Sequence, residues 1–255
     1  MPAPAVDILM YHSISDAGGP TSITPPIFAA QIDAIAAAGV PVITLDDLLV
    51  AKAGQKALPS HSVILTFDDG FGDFADAAWP VLHRLGFAAI VYLPTDHIGR
   101  REAWRGANLP PRRLMSWPAI RDLAQAGITF GSHTVSHPDL SALPPEAVEA
   151  ELSVSRRRIE DKLGRSVRHF APPYGRSSAP VQQAIRSHYA TSVSTELGQA
   201  GLDSDLLNLP RLEMFYFRDG AAWRRHLSGR GAPYLNLRRA LRAVRDLTSR
   251  PWERV

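Results

Sequence analysis

Short apolar runs alternate along this chain with longer stretches whose apolar residues recur at helical spacing. Val6–Met10, Val40–Thr44, Ser62–Phe67, Ala88–Leu93, Ile128–Gly131, Val167–Phe170, Tyr189–Ser194 and Leu206–Leu212 read as strands. Phe28–Ala38, Leu45–Ala53, Asp73–Leu85, Trp117–Ala126 and Pro145–Leu163 read as helices, and each is followed at once by a glycine. Glycine accepts the left-handed conformation that ends a helix. Ser116 before Trp117-Pro118 marks a helix start, with proline in the first turn. Strand, helix, glycine, strand is the rhythm of a parallel sheet with crossover helices, and six to eight such units closing on themselves form a barrel. An open doubly wound sheet is the alternative, but no glycine-rich phosphate fingerprint follows the first run. Gly99–Leu114, rich in Arg, Gly and Pro, reads as a surface loop, and Leu235–Leu247 as a helix outside the barrel rhythm.

Composition narrows the chemistry. With 45% apolar and 21% charged residues the chain is globular. It has no cysteine, so disulfides and thiolate metal sites are excluded and any metal must rest on His, Asp and Glu. No apolar stretch approaches the roughly 20 residues of a membrane span, and the first residues lack the basic and apolar regions of a signal peptide. A cytoplasmic protein is expected. The net charge of +3 is uneven, with eleven arginines against four acids from Arg211 to Val255. Such a run is usually a solvated helix face, and peripheral contact of Arg224–Arg250 with anionic membrane is the sharper expectation. No nucleic acid is expected.

Three polar clusters follow apolar runs. In a parallel barrel the loops after the strands gather on one face, where active sites are built. Thr66-Phe67-Asp68-Asp69-Gly70 puts two carboxylates side by side, which repel unless a cation or proton intervenes. One can ligate a metal while the other serves as a general base; an Asp-Gly surface turn is the plain alternative. His133-Thr134-Val135-Ser136-His137 spaces two imidazoles at i and i+4, one face of a helical turn and a metal-ligand spacing. Thr134 stands where a metalloprotease has its glutamate, so the base must come from elsewhere, and Asp68 is available. Pro172-Pro173-Tyr174-Gly175 is a stiff loop that can present the Tyr174 N–H to a developing oxyanion.

These motifs, in this order, resemble the polysaccharide deacetylases of the NodB-homology type, carbohydrate esterase family 4. The resemblance covers about Val6 to Leu212. It implies a distorted (β/α) barrel of seven or eight strands, here residues 1–215, with residues 216–255 as a basic helical extension on or beside it. It implies a divalent metal on Asp69, His133 and His137, with Asp68 as base and an N-acetylated carbohydrate as substrate. Two departures stand out. Ala171 occupies the place of the family's third-motif arginine, and the late Leu-x-His that supplies the acid is missing. Tyr11-His12 and Leu209-Pro210-Arg211 resemble the permuted branch, the deacetylases of exopolysaccharide and poly-N-acetylglucosamine, which makes His12 the expected acid. Arg211 is expected to replace the missing arginine and hold Asp68 ionised. Zinc is the first choice of metal, with cobalt, nickel or iron able to substitute. Tyr174, Pro173 and Trp104 are candidate sugar contacts, and Trp117 a further aromatic. A deacylase of another small amide or ester, or a non-catalytic carbohydrate-binding relative, are the competing readings.

Overall fold

A computed structural model describes residues 4–248, with side chains through 244. Strand β1 (Ala5–Tyr11) leads into a short parallel pair, β2 (Ser13–Ile14) and β3 (Ser22–Ile23), and helices α1 (Pro25–Ala37) and α2 (Leu45–Lys52) follow. Then come β4 (His61–Phe67), α3 (Trp79–Leu85), β5 (Ile90–Leu93), α4 (Trp117–Gln125), β6 (Thr129–Ser132), α5 (Pro145–Leu163) and β7 (His169–Phe170). The chain continues through α6 (Ala179–His188), β8 (Thr191–Leu197), β9 (Leu209–Glu213), α7 (Gly220–Arg225) and α8 (Ala232–Thr248). Seven parallel strands, β1-β4-β5-β6-β7-β8-β9, form a closed barrel, sealed where Leu9 of β1 registers with Leu212 of β9.

Alternation along the strands divides the core in two. Val6, Ile8, Ile64, Ile90, Tyr92 and Leu209 belong to a compact inner cluster. Leu9, Tyr11, Val63, Leu65 and Phe67, the odd-numbered neighbours, pack in the larger layer with the helices. Space inside is tight at β6, where a Cβ on Gly131 would lie 2.5 Å from the Tyr92 ring and 2.9 Å from the His169 carbonyl oxygen. The glycines after the helices behave as expected: Gly39, Gly54, Gly86, Gly127 and Gly164 all have positive φ. Ser116 caps α4 by accepting the Ala119 N–H.

The structure corrects several expectations. Val40–Thr44 is not a barrel strand; Val42 makes only an isolated bridge to Val63, so this run is a connector into α2. The helix expected from Asp73 begins as a π turn, Phe74–Ala78, before α3. Helix α6 was not expected, because Pro180 and the polar Gln182-Gln183 hide the anchors Val181 and Ile185.

The segment after β9 closes over the outside of β1. Trp223 is fully buried and donates its indole N–H to the Gln31 carbonyl, while the Gln31 amide donates to the carbonyls of Met214 and Phe217. Beneath it, the buried Asp7 carboxylate takes hydrogen bonds at 2.7 Å from both His61 Nε2 and His226 Nε2, and one from Gln199. Arg238 lies over the rings of Tyr216 and Tyr234, and Arg250 lies outside the described residues. Among the described residues, no helix is long and apolar enough to cross a membrane.

Burial alone would raise the pKa of Asp7, but its two histidines outweigh that and lower it to about 2. The charged carboxylate therefore contributes stability above its unfolded pKa, lost as pH falls from about 4 through about 2 and worth on the order of 2 kcal/mol. Denaturant titrations of wild type and Asp7→Asn are expected to differ most near pH 5 and to converge toward pH 2. In the barrel wall, Gly131→Ala is expected to lower unfolding free energy by about 1–3 kcal/mol, read by the same titration.

Candidate active site

The loops leaving β1, β4, β6, β7 and β9 bring the polar clusters to one end of the barrel. The β1–β4 ladder runs one step beyond β4, where the Asp68 N–H donates to the Tyr11 carbonyl at 2.9 Å. The chain then turns on two successive left-handed residues, Asp69 (φ 71°) and Gly70 (φ 67°). This turn sends the two neighbouring carboxylates in different directions. The β6 loop likewise starts on the ladder, with the His133 N–H on the Leu93 carbonyl. Thr134 (φ 69°) and His137 (φ 60°) are also left-handed, so the segment is not the helical turn that its i,i+4 spacing suggests. The Thr134 hydroxyl takes the His137 N–H, and Glu151 on α5 takes the N–H groups of Val135 and Ser136. Glu151 thus pins the loop, a role that nothing in its local sequence signals.

The three residues implied as metal ligands meet. Asp69 Oδ1 lies 3.2 Å from His133 Nε2 and 3.3 Å from His137 Nε2, and all three side chains are buried. Two ligand bonds of about 2.0–2.1 Å at a tetrahedral angle separate their donor atoms by about 3.3 Å, so this spacing suits a shared divalent ion. His133 Nδ1 donates to the Ala171 carbonyl at 2.6 Å, which turns the Nε2 lone pair toward Asp69. The Asp7–His61–His226 group contrasts with it, since 2.7 Å is the distance of a direct hydrogen bond. Burial alone would raise the Asp69 pKa, but the two imidazoles hold the carboxyl well below its ordinary value.

Asp68 points instead to Arg211. The guanidinium donates to both carboxylate oxygens at 2.7 Å, to the Thr66 hydroxyl, and through Nε to the Ser194 carbonyl. Arg211 is 1% exposed, which excludes a surface ion pair. Burial pushes the Asp68 pKa up; the charge and hydrogen bonds of Arg211 outweigh it and keep the carboxyl below its ordinary value. His12 Nε2 stands 3.9 Å from Asp68 Oδ2, partly open to solvent. The sequence reading missed Glu213, two residues after Arg211. It is close enough to His12 and Arg211 for both to pull its pKa down, although burial pushes it up further. The i,i+2 alternation of a strand was the available signal, since it puts Arg211 and Glu213 on one face.

Tyr174 (φ 60°) sits in the Pro-Pro-Tyr-Gly turn with its ring edge-on to His137, and its hydroxyl donates to the Arg105 carbonyl. Trp104 stacks on the His137 ring with centroids 4.3 Å apart. Trp104, Arg105, Ser136, His137, Tyr174 and Arg176 line a cleft of about 270 Å³. Pro173 is buried in the turn and does not line it, and Trp117 packs against the core at the start of α4.

A barrel with a buried Asp-His-His group and an arginine-paired aspartate at its loop end is an arrangement suited to metal-assisted hydrolysis, and comparison with known proteins gives the family. Residues 55–193 match the family model described as polysaccharide deacetylase. The chain belongs to the polysaccharide deacetylase family and is accordingly a hydrolase. It is 26% identical over 217 residues to YxkH of Bacillus subtilis, by name a polysaccharide deacetylase, covering 85% of this chain and 74% of the relative. It is 28% identical over 166 residues to the poly-β-1,6-N-acetyl-D-glucosamine N-deacetylase of Staphylococcus epidermidis, covering 60% of this chain and 54% of that one. The structure of the Streptococcus pyogenes deacetylase PplD, solved with acetate, superposes with a TM-score of 0.71 at 27% identity, covering 83% of this chain and 92% of PplD.

Removing one partner of the buried pair should be costly. Arg211→Met is expected to lower unfolding free energy by about 3–5 kcal/mol, because it strands the Asp68 charge. In protein that remains folded, losing the cation raises the Asp68 pKa, so the acid limb of the pH–rate profile for acetate release is expected to move to higher pH.

Proposed function

We propose that this chain removes the N-acetyl group from N-acetylglucosamine-type sugars in glycans, with Asp68 as general base and His12 as general acid. The observation that carries the reading is the split of the Asp pair: Asp69 faces His133 and His137, while Asp68 is held ionised by Arg211 with His12 beside it. Asp69, His133 and His137 would hold a divalent ion, zinc first for a mixed His/carboxylate set and cobalt, nickel or iron as substitutes. When bound, the ion supplies Lewis acidity toward the acetyl carbonyl and an acidified water.

The remaining work falls to the chain's own groups. Asp68, kept anionic by Arg211, accepts the proton from the attacking water. The Tyr174 backbone N–H, beside His137, donates to the oxyanion that forms on the acetyl oxygen. His12 delivers a proton to the amide nitrogen, so that the sugar leaves as an amine and not as its anion. Glu213, near His12 and Arg211, completes the polar surroundings of this group. Trp104 and Tyr174 offer ring faces and edges to the sugar at the cleft mouth. The poly-N-acetylglucosamine deacetylase of S. epidermidis supports the choice of sugar.

Acetate release from chito-oligomers, set against acetyl esters, tests the reaction; activity confined to esters defeats the amidase reading. His133→Ala is expected to lose bound metal by elemental analysis and activity with it. Asp68→Asn is expected to retain the metal yet lose about 10²–10⁴ in kcat.

A further inference from the structure

Beside the active site lies a second and larger cleft, of about 650 Å³, between the end of β8 and helix α8. Its volume falls in the range of ligand-binding clefts, ~300–1,000 Å³. It begins one residue from the catalytic turn: Tyr174 lines the smaller cleft and Gly175 the larger. Gly175 has φ 65°, and a Cβ there would lie 2.1 Å from the Thr195 hydroxyl oxygen, so the turn rests directly on β8. Ser194, whose carbonyl accepts from Arg211 Nε, forms part of the same wall.

The lining is mostly polar, with Leu197, Pro210 and Ala243 as its apolar members. Gln182, Glu196, Gln199 and Asn208 face Arg239 and Arg242 of α8. Arg239 is aimed by neutral acceptors only, the Leu197 carbonyl at 2.9 Å and the Asn236 side-chain oxygen at 3.2 Å. Among the described residues, neither Arg239 nor Arg242 lies within ion-pair distance of a carboxylate. Glu196 is the acid in the lining, exposed and unpaired with either, so two guanidinium groups face one carboxylate and the cleft is net positive. Helix α8 buries Leu235 near its start and leaves its later apolar residues open. Leu237, Leu241 and Val244 are more than half exposed, while Arg239 and Arg242 line the cleft. Two arginines over a largely polar cleft, neither in a close ion pair among the described residues, are accounted for if the cleft holds an anion.

We infer that this cleft is a subsite for an anionic group on the glycan, held by Arg239 and Arg242 while the N-acetyl group of a neighbouring sugar lies at Asp68. The inference rests on the reading that the substrate is an N-acetylated glycan, and it specifies that glycan's class. A planar guanidinium pairs bidentately with a carboxylate or a phosphate, so the anion is a uronate carboxylate or a phosphodiester. Glu196 and the amides are suited to sugar hydroxyls.

The test uses length-matched N-acetylated oligosaccharides in three series: neutral, uronate-containing and phosphodiester-containing. Both kcat/KM for acetate release and Kd by calorimetry are measured on the full chain. Wild type is expected to favour one anionic series over the neutral one by roughly tenfold or more, less at high salt. The series favoured distinguishes carboxylate from phosphodiester. The anionic-to-neutral ratio is expected to fall toward one in Arg239→Gln/Arg242→Gln and to survive in part in Arg239→Lys/Arg242→Lys. Equal treatment of all three series by wild type, or a ratio that persists in the double Gln variant, overturns the subsite. If no series releases acetate but the calorimetric preference holds and depends on the two arginines, the subsite stands and the deacetylase reading falls.

Discussion

The buried ion pair between Arg211 and Asp68 organises this molecule. Two full charges inside a barrel are costly unless each is paired and hydrogen-bonded, and here both conditions are met. Arg211 spends its donors on two carboxylate oxygens, a threonine hydroxyl and a strand carbonyl. The result ties β4 to β9, on either side of β1, and leaves an anionic carboxylate next to the Asp69–His133–His137 group. One interaction thus does two things, because the arginine that makes the burial of Asp68 tolerable also keeps its carboxyl ionised.

The same principle separates the two Asp-His-His groups. At the loop end of the barrel, carboxylate and imidazoles stand at the separation of atoms that share a cation. Around Asp7 they stand at the separation of atoms that share a proton. One group has the spacing of a cation site, and the other fastens the segment after β9 to the outside of β1. Identical residue types therefore do different work, and about half an ångström decides which.

That fastened segment bears on function as well as on closure. By covering β1 and continuing into α8, it carries arginines from the far end of the chain to the edge of the cleft beside Tyr174 and Gly175. Within the basic C-terminus the described arginines differ in what they meet. Arg238 stacks on tyrosines, and Arg239 and Arg242 line a cleft.

Much of this was legible in the chain as written. Strand β1 and strands β4 to β9, the glycine stops and the capping Ser116 follow from periodicity and backbone preference, which are local. The polar clusters could be picked out because they follow strands, and parallel topology gathers strand ends; that Asp69, His133 and His137 form the ligand set was what the family resemblance implied. Arg211 could be named because a missing arginine at Ala171 demanded a replacement. The rest was decided by contacts between residues distant in sequence. Val40–Thr44 has the composition of a strand, yet the barrel closes with seven and leaves it no place. The two histidines share a ligand set through two left-handed residues and the grip of Glu151, not through helical spacing. Glu213 and the Arg239–Arg242 cleft are defined by what folding places opposite them. Local pattern determines which segments become strands and helices; only closure of the barrel determines which charges face one another, because Coulomb and hydrogen-bond energies depend on distances that no local pattern encodes.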